Sequence, residues 1–394
     1  MLTESERRLA AVPWAHLAGL GPTLETPLQR VLEGDAAERV LDRTLRANRH
    51  FTAEQRQVCA EALFGVGLWR RRFQGAPLQR LAQLARLGGC DDAFSRLGVD
   101  VVDSPVASWR DRFSFPDWIA ERFEARFPGE VEQLADVLNR PGPVTLRAKT
   151  DRSALAARLR SVGVETIPAR WAPYALHVIT PRPNLLGLGP SFLGTFEVQD
   201  EGSQLLGALL DVRSGDEVLD LCAGAGGKAL QLAARVGPGG TVHATDIDLP
   251  KLERLRTRAS KAGAHVLIHG ARPPAALRIP HVLIDAPCSE LGTLRRGPDL
   301  RWRLRSQSVA EMAVVQRELI ALGLRHLADG GRLVYATCTM TPEENEDVVT
   351  DAVKSGLKLV RPSLPDALLD ARGCLSLAPH RHGTDGFFAA VFER

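Results

Sequence analysis

The sequence predicts an α/β protein, and three observations in its second half predict that class. Short apolar stretches of strand length alternate with helical patterns from about residue 189 onward. Two of the predicted strands end in a cysteine, and a third is followed by a glycine-rich turn that opens a helix. Because open α/β sheets bind ligands at the carboxyl ends of their strands, these features predict a site at that edge.

Length and composition restrict the class of protein. The 394 residues suit two or three domains, and the 44% hydrophobic and 25% charged content is typical of a globular protein. With a net charge of only +3, any nucleic-acid surface must be a local patch. Six cysteines without a Cys-x-x-Cys pair argue against a disulfide framework or a metal site. The chain shows no signal-peptide pattern and no apolar run of about 18 residues, which predicts a soluble cytoplasmic protein.

Residues 1–112 are predicted to be helical. Apolar residues recur at helical spacing in Asp35–Leu45, Thr52–Phe73 and Pro77–Leu87. Asp35 with Glu38, and Thr52 with Gln55, have the pattern of a helix N-cap and its capping partner. Arginines cluster near the predicted helix ends: Arg46, Arg49, Arg70, Arg71 and Arg72. This part is either an RNA-binding module or a packing domain with a solvated basic face.

Residues 113–188 are predicted to form a small α/β module. The predicted helices are Trp118–Phe127, Val131–Leu138 and Ser153–Val162, and the predicted strands are Val144–Arg147 and Ala175–Ile179. The module either covers its neighbour or makes a second RNA contact. Three basic residues slightly favour the contact: Arg147, Lys149 and Arg152.

The glycine-rich turn follows the predicted strand Glu217–Cys222. It comprises Ala223, Gly224, Ala225, Gly226, Gly227 and Lys228. Glycines at such a turn allow a cofactor to approach backbone N–H groups. The next predicted strand, Thr241–Thr245, ends at Asp246, whose carboxylate suits either a ribose diol or a helix N-cap.

A carboxylate and two thiols end two further strands. His281–Ile284 leads into Asp285 and Cys288, and Arg332–Ala336 leads into Cys338. If these strands are parallel neighbours, both thiols face one crevice. Arginines with one tryptophan follow the first strand, a composition that favours phosphate binding: Arg295, Arg296, Arg301, Trp302, Arg303 and Arg305.

Two long motifs resemble motifs IV and VI of the RNA cytosine-5 methyltransferases of the NOL/NOP/Sun family, most closely the bacterial members that act on 16S ribosomal RNA. The first comprises Asp285–Ser289, Gly292, Arg295-Arg296, Pro298-Asp299 and Trp302, and the second Ala336–Thr339 and Pro342–Asn345. The resemblance implies a NusB-like RNA-binding domain at residues 1–112, a small α/β module at 113–188 and a Rossmann-like class I methyltransferase domain at 189–394. Residues Ala62–Val66 with Trp69 resemble the corresponding NusB-like helix. The implied cofactor is S-adenosylmethionine, and the implied partner is RNA.

The resemblance also implies roles for the site residues. Cytosine becomes nucleophilic at carbon 5 once a thiolate adds to carbon 6, so the reaction needs an activated thiol, a carboxyl group and a base. Cys338 would be the nucleophile, Cys288 would assist release, and Asp285 would contact the ring. Lys228 would face the site, where its charge could lower a thiol pKa. The cofactor-binding residues would be Cys222, Ala223, Gly224, Ala225, Gly226, Gly227, Lys228, Asp246 and Asp285.

Several positions depart from the family pattern. Ala225 replaces a proline, Glu290 and Leu291 replace small residues, and Gly270 or Ala271 stands where an aspartate near the adenine is usual. The last change predicts weaker cofactor binding. It also motivates a second candidate function, an RNA-binding ribosome assembly factor with weak or lost methyltransferase activity.

The substrate and the chemistry of the thiols each allow a second interpretation. A transfer RNA is the second candidate substrate, and a redox protein that uses Cys288 and Cys338 as a disulfide is disfavoured. Trp302 or Phe192 could stack on a flipped base, although packing is favoured for Phe192. The sequence does not determine the oligomeric state.

Overall fold

The computed structural model describes residues 2–181 and 183–394, which form two compact units. One unit takes in the chain up to Pro141 together with Thr293–Ser306, and the other comprises Gly142–Gly292 and Gln307–Arg394. The domain boundaries predicted near residues 112 and 188 stay a prediction.

The first unit is helical. Its helices are α1 (Glu4–Arg7), α2 (Gly21–Glu33), α3 (Ala37–Ala47), α4 (Ala53–Leu68), α5 (Pro77–Leu87), α6 (Ala93–Leu97), α7 (Trp109–Arg112), α8 (Asp117–Arg126), α9 (Val131–Leu138) and α14 (Leu300–Arg303). Leucines, valines and Trp69 on their inward faces form a buried core.

Side-chain caps were predicted at the start of two of these helices, and one of the two forms. The predicted box at Thr52 is confirmed, because its hydroxyl accepts the Gln55 N–H while the Gln55 side chain accepts the Thr52 N–H. The predicted cap at Asp35 is wrong. Its carboxylate instead pairs with Arg30 and Arg43, and α3 begins after Ala36 without a side-chain cap.

The second unit contains a small antiparallel sheet. Its strands are β1 (Thr145–Ala148), β2 (Thr166–Pro168), β3 (Ala175–Val178) and β4 (Phe196–Val198), in the order β2-β3-β1-β4. Helix α10 (Arg152–Arg160) lies between β1 and β2 in the chain and buries Leu155 and Leu159. The two strands predicted here are confirmed with shifted ends, whereas β2 and β4 are too short for their pattern to be recognised.

The large sheet of this unit determines where the site lies. Its strands are β5 (Glu217–Asp220), β6 (Thr241–Ala244), β7 (Val266–Ile268), β8 (Ile279–Asp285), β9 (Leu327–Thr337), β10 (Lys358–Val360), β11 (Leu375–Leu377) and β12 (Phe387–Glu393). They run in the order β10-β12-β9-β8-β5-β6-β7, with β11 on β12. Strands β5 to β9 pair in parallel, and β12 pairs antiparallel with β9.

Helices cover this sheet. They are α11 (Glu201–Ala208), α12 (Gly227–Val236), α13 (Leu249–Ala262), α15 (Gln307–His326), α16 (Glu346–Lys354) and α17 (Pro379–His382). Since helices cover the strands, β5, β8 and β9 are buried along most of their length, and β8 and β9 are mainly apolar. The predicted Rossmann-like α/β class is confirmed. Among the residues that the structure describes, no helix has the length and apolar character needed to cross a bilayer.

Candidate active site

The glycine-rich turn connects β5 to α12, as predicted. Gly224 and Gly226 have φ angles of +53° and +92°, in the left-handed region that glycine adopts without strain. A Cβ on Gly226 would lie 2.2 Å from Leu255 Cδ1, so a side chain there would require the Leu255 side chain of α13 to move. The backbone of the turn is therefore held close to the neighbouring helix.

Asp246 lies beside this turn. Its Oδ2 accepts the Gly224 N–H at 2.8 Å, and its Oδ1 accepts the Asp248 N–H at 2.7 Å. The N-cap of α13 is Asp248, whose side chain accepts the Lys251 N–H at 3.1 Å. The interpretation in which Asp246 caps the helix is thus wrong, and its carboxylate is attached to the loop predicted to bind the cofactor.

Asp220 is a candidate site residue to which the sequence prediction assigned no role. It ends β5, its side chain is completely buried, and neither carboxylate oxygen makes a hydrogen bond of normal geometry. Burial and the nearby charge of Asp285 raise its pKa to about 7, while Lys228 and the Cys222 amide oppose the increase. The available signal was an acidic residue at the end of a short strand, three residues before the first residue of the glycine-rich turn.

The two predicted thiols lie together. Strands β8 and β9 are parallel neighbours, and Cys288 Sγ lies 3.3 Å from Cys338 Sγ. The Cys338 N–H also donates to Cys288 Sγ at 3.4 Å. The hydrogen bond to Cys338, burial and the charges of Cys338 and Glu344 raise the pKa of Cys288 well above its ordinary value. Cys288 therefore keeps its proton at neutral pH.

A buried carboxylate joins the two cysteine loops. Glu344 is fully buried, and its Oε2 accepts the Ser289 N–H at 2.9 Å and the Gln316 amide at 3.0 Å. Its Oε1 accepts the hydroxyls of Ser289 and Thr341. Ser289 follows Cys288, and Thr341 lies three residues after Cys338. Glu344 thus fixes both loops relative to each other, although the sequence prediction assigned it no role.

Lys228 and Asp285 form an ion pair at the same edge. Lys228 Nζ lies 2.6 Å from Asp285 Oδ2, and the two side chains are 10% and 31% exposed. Lys228 therefore lies at the edge where it was predicted, and its ammonium group points at the Asp285 carboxylate. Cys222, between Asp220 and the glycine turn, has its pKa raised by burial and by nearby carboxylates.

Gly270, which with Ala271 is one of the two positions where an aspartate was expected, lies next to Asp246. Its φ is +78°, and its carbonyl accepts the Asp246 N–H at 3.0 Å. The preceding residue, His269, lies 2.8 Å from His243 through its Nε2, with the two rings nearly parallel. Weaker cofactor binding through the missing carboxylate stays a prediction.

The arginines after Cys288 do not all face solvent. Arg301 is fully buried in the helical unit, where its Nη1 group donates to Asn139 Oδ1 at 2.9 Å and its guanidinium lies 3.9 Å from the Phe115 ring centre. Burial lowers its pKa to about 9. The phosphate-binding prediction is wrong for Arg301, because a completely buried guanidinium cannot reach a phosphate. Trp302 is half-buried, with Arg70 over its ring.

Part of the basic cluster in the helical unit is also used internally. Arg71 bonds the carboxylates of Asp111 and Asp117 at 2.6 and 2.7 Å. Arg72 pairs with Glu6 at 2.6 Å. Burial by itself would raise the pKa of Glu6. Hydrogen bonds from Arg112, the Thr3 backbone and Arg72 outweigh burial and lower this pKa to about 2. These two arginines stabilise the helical packing rather than forming a free cationic face.

Family models match most of the second unit. The model described as 16S rRNA methyltransferase RsmB/F matches residues 207–393. The model of the ferredoxin-like domain of RsmF/B-like methyltransferases matches residues 115–184.

Curated relatives agree with these matches, and a solved structure shares the fold. Ribosomal RNA small subunit methyltransferase B of Yersinia enterocolitica is 32% identical over 80% of this chain and 75% of its own length. The protein of the same name from Photorhabdus laumondii is 31% identical over 70% of this chain, which spans 65% of it. The crystal structure of PH0851 has a TM-score of 0.78 at 23% identity, covering 95% of this chain and 99% of that one.

A methyltransferase homolog from Pyrococcus horikoshii has a TM-score of 0.64 at 25% identity, covering 73% of this chain and 97% of that one. The family is established because the similarity to the Yersinia enterocolitica protein extends over 75% of that protein's length at 32% identity. The chain belongs to the ribosomal RNA small subunit methyltransferase B (RsmB/Sun) family of RNA methyltransferases, and its cofactor is S-adenosylmethionine.

Proposed function

We propose that this protein methylates carbon 5 of a cytosine in RNA, with 16S ribosomal RNA as the first candidate substrate, through a covalent adduct with Cys338. The observation that carries the proposal is the pair of thiols 3.3 Å apart at the ends of neighbouring parallel strands. A single thiol at a strand end is usually a small buried hydrophobe. Two thiols at the same sheet edge as the ion-paired carboxylate of Asp285 provide the groups that this chemistry needs.

The residues around the glycine turn fit S-adenosylmethionine. Asp220 presents two buried carboxylate oxygens without a hydrogen-bonding partner among the described residues, which suits a cationic ligand group. Asp246 would hold the ribose hydroxyls, and Gly224–Gly227 would allow close approach of the cofactor to the backbone. When bound, the cofactor supplies an electrophilic methyl group.

The two cysteines would have different roles, Cys338 as the nucleophile and Cys288 as a protonated thiol beside it. Cys288 keeps its proton, because its pKa is raised by its hydrogen bond to Cys338 and by burial. Cys338 is then the thiol that adds to carbon 6, and Asp285 hydrogen-bonds the ring while Lys228 holds the carboxylate in place. After the carbon-5 proton has left to a base, the bond between Cys338 and carbon 6 breaks. The Cys288 S–H is within reach of the departing sulfur.

The test is transfer of a labelled methyl group to 16S ribosomal RNA, small subunits and transfer RNA. Cys338→Ala should abolish transfer, and Cys288→Ser should slow release so that a protein–RNA adduct accumulates in a denaturing gel. Cys90→Ser, a buried cysteine of the helical unit, serves as the matched control and should retain activity. Unchanged transfer in Cys338→Ala would refute the assignment.

The same experiment separates the candidate functions. Label in transfer RNA alone would change the substrate, and RNA binding without label in any substrate would favour an assembly factor. A cytoplasmic location, where reducing conditions keep both thiols free, is part of the proposal.

A further inference from the structure

A cavity lies in the second unit, apart from the cysteine pair and the glycine turn. Its volume is about 400 Å³. It is lined by Arg147 and Phe196 of the small sheet and by Lys149 just after β1. The other walls are the second half of α12, the end of α13 and the loop that leads to β7. Because α12 begins at the carboxyl edge of the large sheet, its last turn lies toward the opposite edge. The cavity is therefore distinct from the proposed catalytic site.

Arg147 is an unusual lining residue because it is only 7% exposed. Its Nε donates to Gln199 Oε1 at 2.6 Å, and its side chain makes no further hydrogen bond within residues 2–181 and 183–394. A guanidinium has five N–H donors, so the Nη groups have no partner there. Burial lowers the pKa of Arg147 to about 10, and Glu197, which opposes this change, is already paired with Arg258 at 2.5 Å. A buried cation of this kind is stabilised by a bound anion.

The remaining lining includes a second cation, apolar walls and the Glu197 carboxylate, whose charge is balanced by its ion pair with Arg258. Lys149 donates to the Ala262 carbonyl at 3.0 Å and stands at the same cavity. Apolar side chains cover most of the surface, namely Phe196, Leu230, Ala233, Ala234, Ala262 and Ala264. The combination selects a ligand that has an anionic group and a flat or apolar body. The volume lies within the usual range for small-ligand sites, roughly 300 to 1,000 Å³.

We propose that this cavity binds one nucleoside monophosphate unit, with its phosphate at Arg147 and Lys149 and its base against Phe196 and the alanine wall. A guanidinium matches two phosphate oxygens, and an aromatic face accepts any base. The unit comes either from an RNA strand or from a free nucleotide. In the first case the inference rests on the proposed function, since the cavity is then a second contact for the RNA substrate.

Direct binding to the full-length protein tests the proposal. S-adenosylhomocysteine is kept at saturation so that nucleotides do not enter the cofactor site. The probes for titration calorimetry are cytidine monophosphate, cytidine and a five-nucleotide RNA. Cytidine monophosphate should bind saturably and more tightly than cytidine, because only the former has a phosphate.

Two variants test separately the charge of Arg147 and the free volume of the cavity. Arg147→Met should weaken cytidine monophosphate at least tenfold and leave cytidine unchanged. Ala234→Phe, at an exposed helical position on the cavity rim, should weaken both ligands. The matched controls are Arg254→Met and Ala310→Phe, which alter exposed helical residues outside the cavity and should stay within twofold.

The binding results support the nucleotide site or overturn it. Binding of both phosphate-bearing probes with loss in Arg147→Met supports the site for either source, and binding of the RNA alone identifies a strand as the source. No saturable binding of either probe, or wild-type affinity in Arg147→Met and Ala234→Phe, would overturn the inference. Methyl transfer by the wild type is measured separately, so a protein that methylates RNA without this binding refutes the inference alone. Binding without methyl transfer would refute the proposed function alone.

Discussion

Two buried carboxylates at the same edge of the sheet differ in their hydrogen bonding. Glu344 accepts four hydrogen bonds, from the Ser289 backbone and from three side chains. Asp220 is equally buried, but its carboxylate oxygens make no hydrogen bond of normal geometry among the described residues. Burial and a neighbouring carboxylate raise its pKa to about 7.

This difference in hydrogen bonding indicates different roles for the two carboxylates. A buried polar group with every lone pair satisfied makes its surroundings rigid, and Glu344 holds the loops of both cysteines in this way. A buried polar group without partners costs free energy in the unliganded protein. Folding thus satisfies Glu344, whereas the carboxylate of Asp220 is left for the ligand contact that the proposed function assigns to it.

Glu344→Ala should produce the largest loss of stability. Four donors lose their acceptor in a site closed to water, which should lower the free energy of unfolding by about 3 to 5 kcal/mol. Urea unfolding measures the change. The control is Glu318→Ala, an exposed glutamate on α15, which should stay within about 0.5 kcal/mol. A loss below about 1 kcal/mol for Glu344→Ala would show that the network does not brace the loops.

Asp220→Asn should change how stability depends on pH in the absence of cofactor. The folded-state pKa, about 7, lies above the ordinary 3.8, so the neutral carboxyl stabilises the fold fully below 3.8. That contribution is lost as the pH rises toward 7. Relative to the variant, the wild type should therefore lose roughly 2 to 3 kcal/mol between pH 5 and pH 8.

Urea unfolding of the two proteins at several pH values checks this prediction. A stability difference that does not vary with pH would show that Asp220 titrates normally. In the same variant, cofactor affinity measured by calorimetry should fall at least tenfold if Asp220 contacts the ligand.

Lys228→Met should shift the titration of Asp220 further upward. The Lys228 ammonium lowers the pKa of Asp220, so its removal should raise the midpoint by about one pH unit, equivalent to about 1.4 kcal/mol. The midpoint is read from the pH-dependent stability difference between Lys228→Met and Lys228→Met/Asp220→Asn. Lys261→Met, at an exposed position on α13, should leave the midpoint in place. A downward shift would contradict the electrostatic explanation.

Ser289→Ala should have the smallest effect. It removes one hydroxyl donor from Glu344 while the Ser289 N–H, Thr341 and Gln316 remain, so a loss of about 1 kcal/mol is expected. Thermal and urea unfolding measure it beside Ser260→Ala, an exposed serine of α13. A loss as large as that of Glu344→Ala would mean that Ser289, rather than the carboxylate, organises the network.

Local patterns predicted the regular elements where propensity and packing agree. Helices α5 and α9 have the bounds that apolar periodicity predicted, and the box at Thr52 forms. Helix α2 was missed because Pro27 lies inside it, and proline usually ends a helix. Arg301 was misassigned because charge predicts exposure, whereas the helical unit buries this side chain against backbone carbonyls and Asn139.

The sequence by itself determined the α/β class, the strand–turn–helix unit at the glycine turn and the positions of both cysteines at strand ends. These features depend on residues near one another in the chain, which local periodicity and turn chemistry record. Only the tertiary structure decided which carboxylate is satisfied and which is left without partners. The donors of Glu344 include Ser289, which is 55 positions away, and no local pattern records such a pairing. The burial of Arg147 at its cavity was decided in the same way, because folding sets the walls around a side chain.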